Sequence, residues 1–114
     1  MGRPQKPVRK DALGTLDLLI LSRLAQGAMH GFGIADYLHH VSDALHVDEG
    51  SLYPALHRLE SQGYIESEWR MSEHNRRARF YRLTPRGRKQ VAVEIANWRR
   101  LVDAVNRVIE PLTP

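Results

Sequence analysis

Apolar positions along the chain follow two rhythms, one helical and one extended, and the switches between them mark out the elements. From Leu13 to Gln26, Leu16, Leu19, Ile20 and Leu24 recur at helical spacing while Leu18 and Leu21 widen the stripe. This predicts a first helix packed on several sides, capped by Thr15, with Asp17 favouring its N-terminal dipole, and ended by Gly27. A second helix is predicted over Gly31–Val41, with Ile34, Leu38 and Val41 inward, Tyr37 beside them, and Gly31 allowing a close approach. Ser42 to Val47 reads as a short connection in which Leu45 and Val47 alternate as a brief strand would. Leu52, Leu56 and Leu59 then share one narrow stripe, so a third helix runs from near Gly50 or Ser51 to Gln62. Pro54 is expected in its first turn, and Gly63 supplies the left-handed residue that ends it.

After Gly63 the period drops to two. Ile65, Ser67 and Trp69 alternate with Glu66, Glu68 and Arg70; past a polar turn, Met71 to Arg77, Arg79, Tyr81 and Leu83 alternate with Ala78, Phe80 and Arg82. Two such runs about one turn predict a β-hairpin. Thr84-Pro85 opens the last helix as N-cap and first helical residue, and Pro111 closes it after about 26 residues, roughly 39 Å. Along it Val91, Ile95, Trp98, Val102, Val105, Ile109 and Leu112 keep a 4-3 spacing, with Leu101 and Val108 as a second partial stripe. So long an apolar ridge exceeds what a small domain covers, which predicts a second copy packed along it. The expected fold class is mainly α with a small β-hairpin. It divides into a basic arm at 1–10, a winged helix-turn-helix domain at 11–84 and a C-terminal dimerisation helix at 85–114.

Charge changes this picture by its distribution. The formal net charge is +4 over 114 residues. Arg3, Lys6, Arg9 and Lys10 stand without an acid in the first ten positions, and Arg76, Arg77, Arg79, Arg82, Arg86, Arg88 and Lys89 do so over 76–89. Between them lie ten acids against Arg23, Arg58 and Arg70. An acidic middle between basic blocks implies a polyanion gripped at two places. The helix over 50–62 fits that partner. Its apolar back leaves Pro54, His57, Arg58 and Ser61 in front, flanked by Ser51 and Tyr53, a surface suited to the major groove of double-stranded DNA. Arg58 is its only full positive charge, which shifts expected affinity toward the hairpin and the arm.

Enzymatic chemistry is not expected. The chain has no cysteine, no G-x-x-x-x-G-K-[ST] loop, and only Gly31-Phe32-Gly33 where a dinucleotide fingerprint would need more. Gly50-Ser51-Leu52 lacks the second glycine of a nucleophile elbow, and His30, His39, His40, His46, His57 and His74 show no metal-binding spacing. No cofactor and no metal are therefore expected. The longest apolar run, Leu18-Leu19-Ile20-Leu21, is too short for a bilayer, and residues 1–10 lack the apolar core of a signal peptide, so a soluble, cytoplasmic protein is expected.

Four passages together resemble the short PadR-like winged-helix transcriptional regulators. They are Gly14-Thr15-Leu16-Asp17-Leu18-Leu19-Ile20-Leu21, His30-Gly31-Phe32-Gly33-Ile34, Glu49 through Glu60 (Glu-Gly-Ser-Leu-Tyr-Pro-Ala-Leu-His-Arg-Leu-Glu), and Arg79-Phe80-Tyr81-Arg82-Leu83-Thr84-Pro85-Arg86-Gly87. Their order and spacing match over about residues 12 to 90. The resemblance implies a homodimer joined through its C-terminal helices, binding a palindromic operator, usually as a repressor released by an effector. It maps groove and backbone contacts onto Ser51, Tyr53, His57 and Arg58, and hairpin contacts onto Arg76, Arg77 and Arg79; Ser61 joins them from the helix face. The dimer seam is expected at Val91, Ile95, Trp98, Val102, Val105 and Ile109. Two copies would bring the Trp98 indoles close together, where a small planar aromatic effector could stack. The alternative from the same elements is a winged-helix protein-interaction adaptor that binds no DNA.

Overall fold

The computed structural model describes residues 13–113; the arm expected at 1–10 lies outside them. Helix α1 spans Thr15–Leu24, a short strand β1 Met29–His30, α2 Gly31–Val41, α3 Glu49–Ser61, β2 Ile65–Met71, β3 Arg77–Leu83 and α4 Pro85–Ile109, ending in a 3-10 turn at Glu110–Leu112. The three helices and the hairpin close around one core, in which Ile20, Leu21, Leu24, Ile34, Leu52, Leu56, Leu59 and Ile65 are fully buried. Each such side chain contributes about 1.5–3 kcal/mol by leaving water.

Most boundaries follow local chemistry. Gly63 takes φ +80°, while its N–H donates to the Glu60 carbonyl and that of Tyr64 to the Leu59 carbonyl, each at 3.0 Å. That is a Schellman end, available cheaply only to glycine. Thr84 caps α4: its hydroxyl accepts from the Gly87 N–H at 3.0 Å and donates to the Gly63 carbonyl at 2.6 Å. The cap thus ties the start of α4 to the end of α3.

Several local expectations are corrected. Thr15 is not a cap but the first helical residue; Gly14 occupies the cap position without a side-chain bond. Helix α3 starts at Glu49, ahead of the expected Gly50 or Ser51, because Asp48 caps it: the Asp48 carboxylate accepts from the Ser51 N–H at 2.8 Å. Pro54 consequently falls in the second turn, where its missing N–H leaves the exposed Gly50 carbonyl to solvent. Leu45 and Val47 form no strand; they pack, half-buried, against the core from a loop. The third strand is Met29–His30 instead, which takes the free edge of β3 in the order β1-β3-β2. Val41, the last residue of α2, is exposed rather than inward.

Strands β2 and β3 pair antiparallel from Ile65↔Leu83 to Met71↔Arg77, each one residue longer than the alternation predicts. Their turn closes with the Ser72 N–H on the Arg76 carbonyl at 2.7 Å. Asn75 sits there at φ +58°, a region asparagine tolerates better than most residues.

Helix α4 begins inside the domain and leaves it. Val91 is buried in the chain's own core, and Ile95 packs against that core. The expected seam therefore loses Val91, since the first turns of α4 lie against α1 and β3, while Ile95 keeps part of its side chain uncovered. From Trp98 onward the stripe is uncovered, with Trp98, Leu101, Val105, Val108, Ile109 and Leu112 all exposed and Val102 half-buried.

Candidate nucleic-acid interface

Helix α3 turns Leu52, Ala55, Leu56 and Leu59 into the core, so the opposite face is presented outward. Ser51, Tyr53, Pro54, His57, Arg58 and Ser61 are all exposed on it. Tyr53 also lies across the start of α2, where a Cβ on Gly31 would come within 3.0 Å of its ring; the bare glycine lets the phenol seat there. Arg58 is differently placed from its neighbours. Its guanidinium donates to the Asp17 carboxylate of α1 at 2.8 Å. An acid on the buried stripe of α1 was the available signal for this pairing, since Asp17, Leu21 and Leu24 share one face.

The arginines of the hairpin divide into paired and unpaired. Arg79 Nε donates to the Ser67 hydroxyl at 2.8 Å and Arg79 Nη2 to Glu60 at 3.1 Å, while the Ser67 hydroxyl donates to the other Glu60 oxygen at 2.6 Å. This network fastens the C-terminal turn of α3 to the sheet and offsets the Arg79 charge inside the domain. Arg82 is likewise paired with Glu66 at 2.8 Å, and Arg70 with Glu68 at 3.3 Å. Among the described residues, Arg76 and Arg77 at the tip have no carboxylate partner. Arg77 lies over the Trp69 ring, 5.1 Å from its centroid. The long run of basic residues over 76–89 is therefore thinner in charge than its composition, and what remains uncompensated on the hairpin is concentrated at its end.

The tip and α3 meet across an open groove of about 860 Å³. Tyr53 lines it from α3, Trp69, Arg76 and Arg77 from the hairpin, and His30 and Phe32 from β1 and α2. At its floor burial pushes the Tyr81 phenol up from its usual 10.0, outweighing the lowering influence of the Arg79 charge. His30 contributes a fixed edge: its Nδ1 accepts from the Gly33 N–H at 2.8 Å, and its ring meets Phe80 edge-on at 5.2 Å. Phe32 and the β1 strand are contributions that periodicity alone does not single out, because a two-residue strand and a lone aromatic carry no repeating pattern; Trp69 falls in the alternation of β2, which does not say what its exposed ring faces.

A three-helix core, a third helix with a polar outward face and a basic hairpin behind it define a winged helix-turn-helix protein, with β2 and β3 as the wing. Residues 20–93 match the family described as the transcriptional regulator PadR-like family, and the chain belongs to it. A PadR family transcription regulator from Clostridium difficile superposes with a TM-score of 0.74 at 30% identity, over 84% of this chain and 99% of that one. A transcriptional regulator from Clostridium thermocellum gives 0.72 at 33% identity, over 81% and 87%. In sequence, the chain is 41% identical over 71 residues to the transcriptional regulator Rv3488 of Mycobacterium tuberculosis, 62% of this chain. It spans 64% of that relative's length, and 26% of a second, an uncharacterized 37.1 kDa protein in a Streptomyces fradiae transposon. Among the described residues no helix is long and apolar enough to cross a membrane.

Proposed function

We propose that the chain binds double-stranded DNA as a homodimeric transcriptional repressor. The observation that carries this reading is the shared groove: it is lined by Tyr53 at the front of α3 and by Arg76 and Arg77, the wing arginines without a carboxylate partner among the described residues. Helix α3 enters the major groove with Ser51, Tyr53, His57 and Ser61 forward, while Arg76 and Arg77 meet the backbone or the adjacent minor groove. Arg58, held by Asp17, presents a fixed rather than a searching guanidinium to the duplex. Arg79 supports the wing instead of gripping phosphate.

The exposed stripe of α4 from Trp98 to Leu112 is the surface along which two copies pair, setting two α3 helices to read half-sites about 34 Å apart on a palindromic operator. In that arrangement the Trp98 indoles of two copies flank a space suited to a planar aromatic effector whose binding releases the operator. Selection of bound fragments from the source genome, followed by fluorescence anisotropy over a salt series, tests the reading. A palindromic consensus with affinity falling steeply with salt is the expected result. Absence of salt-dependent retention of any duplex overturns it in favour of an adaptor that binds protein.

A further inference from the structure

The basic block over 76–89 outlasts the wing: Arg86, Arg88 and Lys89 stand in the first two turns of α4, with no acid in its first turn. Cations at this end of a helix oppose its dipole, so an anion from outside would offset them. Arg99 and Arg100 add two more cations further along the same helix. All five side chains are exposed, and among the described residues none has a carboxylate partner. Glu94, the only acid between Pro85 and Val102, is buried, with Gln90 donating to it at 2.7 Å.

At 100° per residue, Ala92 and Ala96 run along the middle of the face turned away from Glu94, and both are exposed. Arg88 and Arg99 border that strip on one side, Lys89 and Arg100 on the other. Eleven residues separate the two members on each side, roughly 16 Å along the axis. Two cation pairs so placed can span a major groove, about 12 Å wide, and reach the phosphates on both sides. A face that docks protein carries a large apolar anchor at its centre; alanine there lets a sugar-phosphate chain come close to the helix instead. None of these residues lines the groove between α3 and the wing.

We infer that this face of α4 grips the phosphates of a second DNA duplex, so that the protein holds an operator through α3 and the wing and a separate duplex through α4. Long cations about an alanine strip fix no contact with base edges, so the second duplex is held without sequence preference. Bridging rests on the proposed operator binding; the α4 grip itself does not.

The test loads the full chain onto an immobilised duplex from the genomic selection, then adds a labelled duplex of unrelated sequence in dilute salt. The parent captures the second duplex. Capture falls about ten-fold in Arg88→Glu with Lys89→Glu, and equally in Arg99→Glu with Arg100→Glu. Affinity for the first duplex stays within about three-fold at physiological salt, where exposed charges beyond about 8 Å are screened. Sedimentation and thermal unfolding match the parent, because all four residues are exposed. A parent that binds the first duplex but captures no second one overturns the inference alone, as does capture that neither double substitution lowers. Altered sedimentation in Arg99→Glu with Arg100→Glu overturns it in favour of a seam between copies. Polyglutamate bound more tightly than duplex overturns it in favour of an acidic protein segment. One further measurement needs no operator: with Arg76→Ala and Arg77→Ala in place, weak retention of unrelated duplex persists, and adding Arg99→Glu with Arg100→Glu abolishes it. That result supports the α4 site even where no operator is selected, whereas a parent that retains no duplex at all removes both readings.

Discussion

The Arg58 guanidinium of α3 rests 2.8 Å from the Asp17 carboxylate of α1, with 54% of the arginine side chain exposed and only 6% of the aspartate. The pair is therefore lopsided: the anion is desolvated by the fold and the cation is not. Removing the arginine strands a buried negative charge, whereas removing both charges does not. Arg58→Ala is expected to destabilise the domain by about 1–3 kcal/mol, less than a fully buried pair because Arg58 faces water. Adding Asp17→Asn should restore part of the loss. Urea denaturation of the two variants checks this, and a single variant as stable as the parent would show that Asp17 finds another partner. The same pinning predicts that Asp17→Asn alone relaxes base preference wherever Arg58 reads the duplex, visible as a broadened consensus in a selection experiment.

The wing separates residues that touch the duplex from residues that hold the wing. Arg76→Ala with Arg77→Ala should weaken binding to all duplexes alike and reduce the slope of log K against log salt by about 0.9 for each phosphate left without its arginine. Arg79→Ala acts differently, because its partners are Ser67 and Glu60 within the domain. It should lower thermal stability modestly, by about 0.5–1 kcal/mol at this half-exposed site, and leave the salt slope close to that of the parent. Anisotropy across a salt series decides between them; a slope changed equally by both would place Arg79 on the backbone as well.

Much of the fold was legible because it is written in local patterns. The leucine stripe of α3, the Gly63 end and the Thr84-Pro85 start each depend on residues within a few positions of one another, and all three appear where the sequence places them. What local patterns do not carry is partnership at long range. Asp17 meets Arg58 across 41 positions and Glu60 meets Arg79 across 19, and each pairing changes what a candidate DNA contact has left to offer. Val91 and Ile95 continue an unbroken heptad, yet the heptad cannot say where a helix stops leaning on its own domain. The groove draws one wall from Phe32 and another from Trp69, positions with no shared period.

Gly87 lies where α4 crosses the chain just after α3. A Cβ there would come far inside van der Waals contact distance of the Tyr64 carbonyl oxygen, and that carbonyl also accepts the Thr84 N–H at 3.1 Å. Backbone on both sides leaves little room to yield. Gly87→Ala should therefore cost at least about 2 kcal/mol even though alanine favours helix. A thermal midpoint equal to or above the parent's would show that the crossing can open.

Tyr81 gives a pH signature. Its phenol loses a proton less readily in the folded domain than at the ordinary value of 10.0, because burial disfavours the phenolate more than Arg79 favours it. The unfolded chain thus ionises first as pH rises, and the stability present below pH 10.0 is lost as pH climbs through the folded value. Tyr81→Phe has no proton to lose. Between about pH 8 and about pH 11 the stability difference between variant and parent should move in favour of the variant, as read from urea midpoints. A constant difference would place the phenol in contact with water.

The uncovered part of α4 makes the strongest demand on a second copy. Val105 is 47% exposed in the middle of a stripe that runs from Trp98 to Leu112, far from the core that absorbs Val91. A glutamate there would meet its own counterpart, or apolar side chains, across a seam, at the cost of burying an unpaired charge. Among the described residues Val105 is left half exposed, so its replacement disturbs little packing within the domain. Val105→Glu should accordingly leave the thermal stability of the winged domain within about 0.5 kcal/mol, while sedimentation velocity shows a single copy where the parent shows two. Operator affinity should then fall about 100-fold or more, because one α3 helix and one wing must bind without the effective concentration supplied by the second. A variant that still sediments as a dimer would move the seam off this stripe. A parent that sediments as one copy, yet binds the operator tightly, would mean that the two half-sites are not joined through α4 at all.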